Sequence, residues 1–324
     1  MAGAQRGAGA VWPQRLTGKH VPRRDHLDAR AVALMVLLCS IWGSQQVAVK
    51  LGVAAGMPPV LQATLRTAGA ALLCCFWIAA RQGRAGLALL VRRDAFFVPG
   101  LWLALIVGLQ FAMMFAALLL TTAGRSVLFI YTAPFYIALG THFLVPSERM
   151  RPAQIAGLVA AFAGMAIAFG DGLFDGRGSL LGDLLSLAAG GLWAASSVLI
   201  KAVPGAQGVS APRLLATQLG GAVPVLLAAT FILGELHTLP APTPLAWALV
   251  AYQTVVVAFA SYLAWFELLL IYPAPRLSGF TFLTPLFGVL AGAVVLGEAL
   301  TWPVLAGLAA IALGLRFVNP REAV

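Results

Sequence analysis

Charged residues are scarce in this sequence. Only 10% of its 324 residues are Asp, Glu, Lys or Arg, whereas 61% are hydrophobic and the mean hydropathy is +0.93. A soluble domain carries about 25% charged residues, and a soluble core of this size could not cover so much apolar surface. The shortage of charge therefore excludes an ordinary soluble protein and indicates that lipid surrounds most of the chain.

The sequence also lacks the residue patterns of catalytic and metal sites. Its cysteines, Cys39, Cys74 and Cys75, lie in apolar segments, where small buried thiols are expected rather than a disulfide or a metal site. Its four histidines are dispersed, and no HExxH or GxSxG pattern occurs. We therefore expect no enzyme activity, no cofactor and no metal ion. An integral membrane enzyme and a non-transporting receptor or scaffold are the alternatives to a transporter.

The apolar residues form long runs without the alternation of β-barrel strands, so the spanning elements should be helices. We predict an all-α integral membrane protein with ten transmembrane helices. The predicted spans are 31–52, 58–80, 95–120, 126–145, 152–170, 180–202, 211–233, 244–270, 277–297 and 302–318. Residues 1–30 are predicted to form a disordered cytoplasmic tail, and residues 319–324 a short cytoplasmic tail.

The basic residues predict the orientation in the membrane. If the N-terminal tail is inside, the predicted outer loops hold only Lys50, Arg125 and Arg177, and Arg66 lies within a span. All other Lys and Arg then fall on the inner side, as the positive-inside rule requires. The pattern predicts two cytoplasmic termini. It also explains the net charge of +10 by orientation in the membrane rather than by nucleic-acid binding.

Similar residues recur at a nearly constant interval along the chain. The interval is 151 positions for Trp42 and Trp193, Lys50 and Lys201, and Pro134 and Pro285, and 150 for Glu148 and Glu298. Such an interval indicates a duplication, with repeats at 31–170 and 180–318. Because each half has five predicted spans, the second half should enter the membrane from the opposite side. An inverted repeat of this kind places a binding site between its halves and opens it to alternate sides.

Polar and aromatic side chains inside the spans are candidate substrate-binding residues, because lipid cannot satisfy their hydrogen bonds. Arg66 could anchor a substrate carboxylate or phosphate, form a structural clamp, or extend toward the membrane surface. Interhelical hydrogen bonds and positions at the membrane interface are the alternatives for the others. The other candidates are Trp42, Gln45, Gln46, Gln110, Tyr131, Trp193, Gln253 and Tyr262.

Glu267 is the candidate coupling residue. It could carry a proton or bind a substrate ammonium group, or it could pair with Arg276 at the membrane interface. The first span has no carboxylate, so coupling through Glu267, exchange and facilitated diffusion all stay open. Pro134 and Pro285 are predicted to kink the fourth and ninth spans, either exposing backbone carbonyls to a cavity or producing simple curvature.

Short motifs, taken together and in order, resemble those of EamA-type permeases of the drug/metabolite transporter superfamily. They are Trp42-Gly43-Ser44, Pro58-Pro59, Leu65-Arg66, Tyr131-Thr132-Ala133-Pro134, Ser147-Glu148-Arg149, Thr284-Pro285 and Gly297-Glu298. The resemblance covers about residues 31–318. It implies a ten-helix secondary carrier of the inner (plasma) membrane that exports amino acids or related small metabolites. We expect a monomer in the lipid bilayer with a small-molecule substrate and no nucleic-acid partner.

Overall fold

A computed structural model describes residues 24, 26–170, 179–236, 243–297 and 301–319 of the protein. Most of the predicted N-terminal tail, residues 320–324 of the C-terminal tail, and Glu298 lie outside these residues. The first helix begins at Ala29, two residues inside the predicted tail.

The described residues are helical with short connections and contain no strand. The helices are α1 (Ala29–Ala54), α2 (Pro59–Val91), α3 (Phe97–Ala117), α4 (Ala123–Ile130), α5 (Ala133–Leu144), α6 (Pro152–Phe169), α7 (Leu180–Ala202), α8 (Ala211–Ile232), α9 (Pro244–Tyr252), α10 (Tyr262–Ile271), α11 (Ala274–Phe280), α12 (Leu283–Leu296) and α13 (Trp302–Val318). A π-helical segment, Gln253–Ser261, joins α9 to α10.

Nine helical segments in the described ranges are long and apolar enough to cross a membrane. The helix α13, with 17 residues, is shorter. The α4–α5 pair, the α9–π–α10 run and the α11–α12 pair each count as one segment. Helices satisfy their own backbone hydrogen bonds, which lipid cannot do. The chain is therefore a multi-pass membrane protein.

The helix of the second predicted span extends beyond that span. The predicted span ends at about residue 80, and α2 continues through Arg81 and Arg84 to Val91. Charge ends the part of a helix that lies in lipid, yet Arg is a good helix former and does not end the helix itself. Gly83, at φ 62°, interrupts the regular backbone in this extension. Residue 83 can adopt this left-handed conformation without strain because it is glycine.

Two spans are broken at matching points, between α4 and α5 and between α11 and α12. At the first break the Thr132 hydroxyl donates to the Phe129 carbonyl at 2.6 Å, and at the second the Thr281 hydroxyl donates to the Ser278 carbonyl at 2.5 Å. Pro134 is the second residue of α5, and Pro285 is the third residue of α12. At these positions proline is tolerated because the first turn of a helix has no internal partner for its N–H groups.

The two halves of the chain pack extensively against each other. The main contacts between α1–α6 and α7–α13 join α6 to α13, α2 to α8, α3 to α7 and α8, α1 to α12, and α7 to α4 and α5. The π-helical segment also packs against α2. Most of the buried core consequently lies between the halves rather than within one of them.

The contact between α6 and α13 depends on glycines. A Cβ added at Gly157 would lie 2.6 Å from the carbonyl oxygen of Gly314, and one added at Gly314 would lie 2.5 Å from that of Gly157. Two helical turns away along the same contact, a Cβ added at Gly307 would lie 2.5 Å from the carbonyl oxygen of Gly164. Real Cβ atoms do not approach backbone so closely. Small residues allow helix backbones to meet in this way in membranes.

Gly314→Ala should therefore destabilise the protein by about 1–3 kcal/mol, the usual cost of overpacking a tight contact. Gly191→Ala is the matched control, because its added Cβ would meet no described residue within 4 Å outside its own stretch of α7. At Gly191 the same change should be neutral or slightly stabilising, since alanine is the better helix former. Thermal unfolding of the two purified variants measures the difference. Equal melting temperatures would contradict the role given to Gly314.

Candidate functional site

A cavity of about 140 Å³ lies between the two halves of the chain. Helices α1, α3 and α4 of the first half and α7, α8, α10 and α12 of the second contribute its walls. Seven of the nine predicted substrate-binding residues line it. They are Trp42, Gln45, Gln46, Gln110, Tyr131, Trp193 and Tyr262.

One wall of the cavity is an aromatic cluster around Trp42. Its ring meets Tyr262 edge to face at 6.3 Å and Trp265 at 5.7 Å between centroids. The indole N–H donates to the Ser261 hydroxyl at 2.8 Å. Ser261 is the last residue of the π-helical segment, whose wider turn positions this hydroxyl beneath Trp42. Because the only polar group of Trp42 is satisfied, its ring is fixed as an apolar surface.

The facing wall is formed by Tyr131 and Trp193. Their rings meet edge to face at 5.9 Å. Tyr131 reaches the cavity because α4 ends immediately before it, at the first of the two helix breaks. A Cβ added at Gly190 would lie 2.6 Å from the carbonyl oxygen of Ile130, so Gly190 allows α7 to approach α4 closely. The helix break and this close approach together bring Trp193 to Tyr131.

Eight of the lining residues form four pairs separated by 151 positions. The pairs are Trp42 and Trp193, Gln45 and Ser196, Phe111 and Tyr262, and Met114 and Trp265. Phe111 and Tyr262 also stack on each other, with 6.2 Å between centroids and 25° between ring planes. Equivalent residues of the two halves thus meet in one cavity.

The polar groups of the cavity are uncharged. Amides come from Gln45, Gln46, Gln110 and Gln218, and hydroxyls come from Ser196 and Thr284. No Asp, Glu, Lys or Arg is among the lining residues in the part of the chain that the structure describes. Amides can donate and accept hydrogen bonds, and aromatic rings attract cations and apolar groups. This combination suits a small molecule that carries both polar and apolar groups.

Three polar lining residues, Gln218, Ser196 and Thr284, were not among the predicted site residues. The amide nitrogen of Gln218 is buried and has no hydrogen-bond partner among the described residues. Ser196 could have been found from the repeat, since it lies 151 positions after Gln45. Gln218 carries the same signal as Gln110, a polar side chain within a predicted span, but that signal does not separate cavity residues from those that only join helices.

Arg66 lies behind the cavity wall and not in it. Its side chain is fully buried on α2, and its guanidinium carbon is 5.1 Å from the centre of the Phe111 ring and 5.2 Å from that of Phe115. None of its three guanidinium nitrogens has a hydrogen-bond partner among the described residues. Phe111, which lines the cavity, therefore separates this cation from the space that a substrate would occupy.

Gln253 and Glu267 also lie away from the cavity lining. The Gln253 side-chain amide donates to the Gln62 side-chain oxygen at 2.8 Å, and Gln62 donates in turn to the Met57 carbonyl at 2.7 Å. Gln253 thus joins the π-helical segment to α2 and to the loop before it. Glu267 is half-buried on α10.

A buried ion pair holds one end of the helix bundle. The Glu148 carboxylate lies 2.7 Å from the Lys201 ammonium, and their side chains are only 5% and 3% exposed. Glu148 also accepts from the Ala274 N–H at 2.8 Å, and Lys201 donates to the Tyr272 carbonyl at 2.7 Å. These bonds join the ends of α5, α7 and α10 to the start of α11.

Two further ion pairs join helix ends in loops and first turns. Arg213, at the start of α8, holds Asp94 with both terminal nitrogens, at 2.8 and 3.0 Å. The hydrogen bond from Arg213 holds the pKa of the Asp94 carboxyl below its ordinary value. Arg125 pairs with Asp183, which also accepts from the Thr121 hydroxyl at 2.9 Å. The connections between helices are therefore fixed by charge as well as by packing.

The sequence matches the model of the EamA-like transporter family twice, over residues 29–170 and over residues 180–319. It is 30% identical to a "Probable amino-acid metabolite efflux pump" of Salmonella typhimurium over 298 residues, which cover 88% of this chain and 93% of the relative. It is 27% identical to an Escherichia coli protein with the same description, over the same shares of the two chains. The resemblance inferred from the short motifs is confirmed.

The fold is similar to that of a protein whose crystal structure is known. The likeness has a TM-score of 0.71 at 20% sequence identity and covers 90% of this chain and 99% of the other. At this identity the likeness concerns the fold alone. It indicates that the arrangement of helices around the cavity is shared with an experimentally determined structure.

Proposed function

The chain belongs to the EamA-like transporter family and is a multi-pass membrane transporter of small molecules; we propose that it exports amino acids or related metabolites by alternating access. The observation that carries the proposal is the cavity between the halves, whose walls are formed by residues 151 positions apart. The relatives described as amino-acid metabolite efflux pumps support the direction and the substrate class.

The proposed architecture is ten spans in two inverted repeats, with α13 as the tenth span. The counterparts are then α1 and α7, α2 and α8, α3 and α9–α10, α4–α5 and α11–α12, and α6 and α13. Under this pairing, α2–α8 and α6–α13 join each helix to its own counterpart. The α1–α12 contact corresponds to that of α7 with α4 and α5, and the α3–α8 contact to that of α2 with the π-helical segment. A pseudo-two-fold axis would produce this pattern of contacts.

The proposed orientation places both termini in the cytoplasm and the protein in the inner membrane. The distribution of Lys and Arg supports it, since the predicted outer loops hold only Lys50, Arg125 and Arg177. The proposed unit is a monomer, because the cavity is completed by the two halves of one chain.

Within the cavity, the aromatic walls and the amides have different proposed roles. Trp42, Tyr262, Tyr131 and Trp193 would bind the apolar part and the ammonium group of the substrate through their ring faces. Gln45, Gln46 and Gln110 would bind its polar groups by hydrogen bonds. The substrate is taken out of water there, so each unmatched polar group on either side would weaken binding. Gln253 is proposed to act indirectly, through its bond to Gln62.

The proposal is tested by flux of a labelled amino-acid panel through the purified protein in proteoliposomes. Saturable flux of at least one amino acid, absent from protein-free liposomes, is the expected result. Only a transporter moves solute across a sealed membrane, so this assay separates export from a receptor, scaffold or enzyme role. Absence of flux for the whole panel would contradict the proposed substrate class.

Repeating the assay with an imposed pH gradient tests the proposed coupling through Glu267. If a proton is coupled, the gradient should drive accumulation, and Glu267→Gln should retain exchange but lose accumulation. Accumulation that persists in Glu267→Gln would remove this residue from the coupling mechanism. Flux that ignores the gradient in the unmodified protein would favour exchange or facilitated diffusion.

A further inference from the structure

Helices α2 and α8 are counterparts, yet the described lining of the cavity includes residues of α8 and none of α2. Their sequences match at an interval of 153 positions, with identical residues at Pro59 and Pro212, Leu61 and Leu214, Ala63 and Ala216, and Thr64 and Thr217. From α8 the lining residues are Leu215, Gln218 and Leu219. Their counterparts on α2 are Gln62, Leu65 and Arg66, none of which is among the lining residues described. This face of α8 therefore lines the cavity, while on α2 the equivalent Gln62 and Arg66 are fully buried and Leu65 is half-buried.

Two residues of the α2 face, Gln62 and Arg66, are covered by contacts with other parts of the chain. Gln62 is held by Gln253 and by the carbonyls of Val49 and Met57, at 2.8, 3.2 and 2.7 Å. Arg66 is covered by Phe111 and Phe115. The counterparts of these two rings are Tyr262 and Phe266, 151 positions later, and both line the cavity. Equivalent positions of the two halves are thus arranged differently around the cavity, and their side chains also differ, with Arg66 matched by Leu219 and Gln62 by Leu215.

A fully buried cation without a hydrogen bond is costly, and such residues persist where another state satisfies them. In an inverted repeat, the opposite-facing state arises when the halves exchange conformations. The exchange would uncover the α2 face and cover the α8 face. We propose that Arg66 enters the cavity in the opposite-facing state, in the place that Leu219 has here, and there binds an anionic group of the transported molecule. This inference rests on the proposed alternating-access function.

The consequence is a binding site that differs between the two faces of the membrane. In the state seen here the lining carries no charge among the described residues. In the opposite state it gains one cation, whose guanidinium can hold a carboxylate with two parallel hydrogen bonds. A substrate with an anionic group is then bound more tightly at one face than at the other. Arg66 would be a specificity-determining residue that acts in only half of the transport cycle.

The buried Glu148–Lys201 ion pair offers a way to shift the protein between the two states. Lys201 is 2% exposed, whereas Lys50, its counterpart 151 positions earlier, is exposed. This difference in burial supports the inference that the bundle is closed at Lys201, where the Glu148–Lys201 pair joins the two halves. Glu148→Gln/Lys201→Met removes the attraction between these two groups, so it should weaken the closure of this end. The fold should stay stable, because no buried ion is left unpaired.

The first experiment measures thiol labelling by a membrane-impermeant methanethiosulfonate reagent. The background is the full chain with Cys39, Cys74 and Cys75 replaced by alanine, after it has been shown to transport. Single cysteines are placed at Arg66 and Leu219, with and without the Glu148→Gln/Lys201→Met pair of substitutions. Gln62→Cys provides a second reporter on the α2 face, since Gln62 is fully buried and its counterpart Leu215 lines the cavity. Ala70→Cys, buried one turn further along α2, is the control.

With the closure of this end weakened, labelling at Arg66→Cys and Gln62→Cys should rise at least about tenfold, because the rate follows the population of the exposing state. Labelling at Leu219→Cys should fall, and that at Ala70→Cys should stay low. If Leu219→Cys responds while both α2 reporters stay as slow as Ala70→Cys, the inference about Arg66 is overturned and alternating access stands. If no position responds, alternating access between these faces fails as well.

The second experiment tests the anionic group. Phenylalanine and phenylalaninamide, which lacks the carboxylate, are compared as competitors of amino-acid flux from each face of the proteoliposome. The unmodified protein should prefer phenylalanine at one face by at least about tenfold, the value of one charge-assisted hydrogen bond. Arg66→Gln should lose the preference at that face, and Arg66→Lys should retain part of it. The absence of any preference at both faces would overturn the anion site.

Discussion

Ser196→Phe should abolish solute flux while the protein remains folded. Ser196 lies on α7, lines the cavity and is the counterpart of Gln45. The cavity measures about 140 Å³, and an apolar cavity of about 150 Å³ is large enough for one benzene molecule. A phenylalanine ring projected from position 196 would therefore fill the space between Trp193 and the facing helices. Flux should fall at least about tenfold, since every substrate that uses this cavity would have to displace a covalently attached ring.

Ala195→Phe is the matched control for this prediction. It introduces the same ring on the same helix at the neighbouring residue, but Ala195 is exposed on the outer surface of the bundle. There the ring would meet lipid, so flux should stay near that of the unmodified protein. Both variants should elute as single species in detergent, which separates a blocked cavity from a misfolded protein. Normal flux in a folded Ser196→Phe protein would show that substrate does not pass through this cavity.

The sequence predicts the cavity better than it predicts how Arg66 is placed. Trp42, Trp193 and Tyr262 lie in the cavity because the repeat places equivalent residues around one axis, and a repeat is visible in a sequence. Arg66 lies at the expected depth, as the eighth residue of α2. Depth along a helix follows from counting residues. Its separation from the cavity depends on Phe111 and Phe115 of another helix, and no local pattern reports that contact.

The side-chain contacts of the π-helical segment, like those of Arg66, do not follow from the sequence pattern. Residues 253–261 carry an apolar sequence much like that of a regular span, and the span of α9 and α10 was predicted as one continuous helix. A π-helical turn changes which side chains face the core after it, and this change has no counterpart in a 3.6-residue pattern. The orientation of Ser261 toward Trp42, and of Gln253 toward Gln62, follows from that local geometry. Candidate residues on such a segment can be named from the sequence, but their partners cannot.

Glu148→Gln alone should be the most destabilising single change of charge in the protein. It would leave the Lys201 ammonium buried without its carboxylate partner, although the ammonium still donates to the Tyr272 carbonyl at 2.7 Å. Breaking a buried ion pair by removing one partner costs about 3–5 kcal/mol, because the remaining ion keeps its desolvation cost and loses its attraction. The amide could still donate or accept one hydrogen bond, so the loss should come mainly from charge. Thermal or denaturant unfolding in detergent measures it.

Two comparisons separate charge from general disruption at this site. Asp28→Asn neutralises a half-buried carboxylate that pairs with Arg24, accepts from the Tyr272 hydroxyl at 3.0 Å and caps α1. Asparagine can keep the cap and the bond from Tyr272. Exposed pairs contribute about 0–1 kcal/mol, so this variant should unfold close to the unmodified protein. Glu148→Gln/Lys201→Met should recover much of the lost stability, since no buried ion remains unpaired. If the double variant is as unstable as Glu148→Gln, the hydrogen bond from Ala274 to the carboxylate, and not the ion pair, holds this end of the bundle.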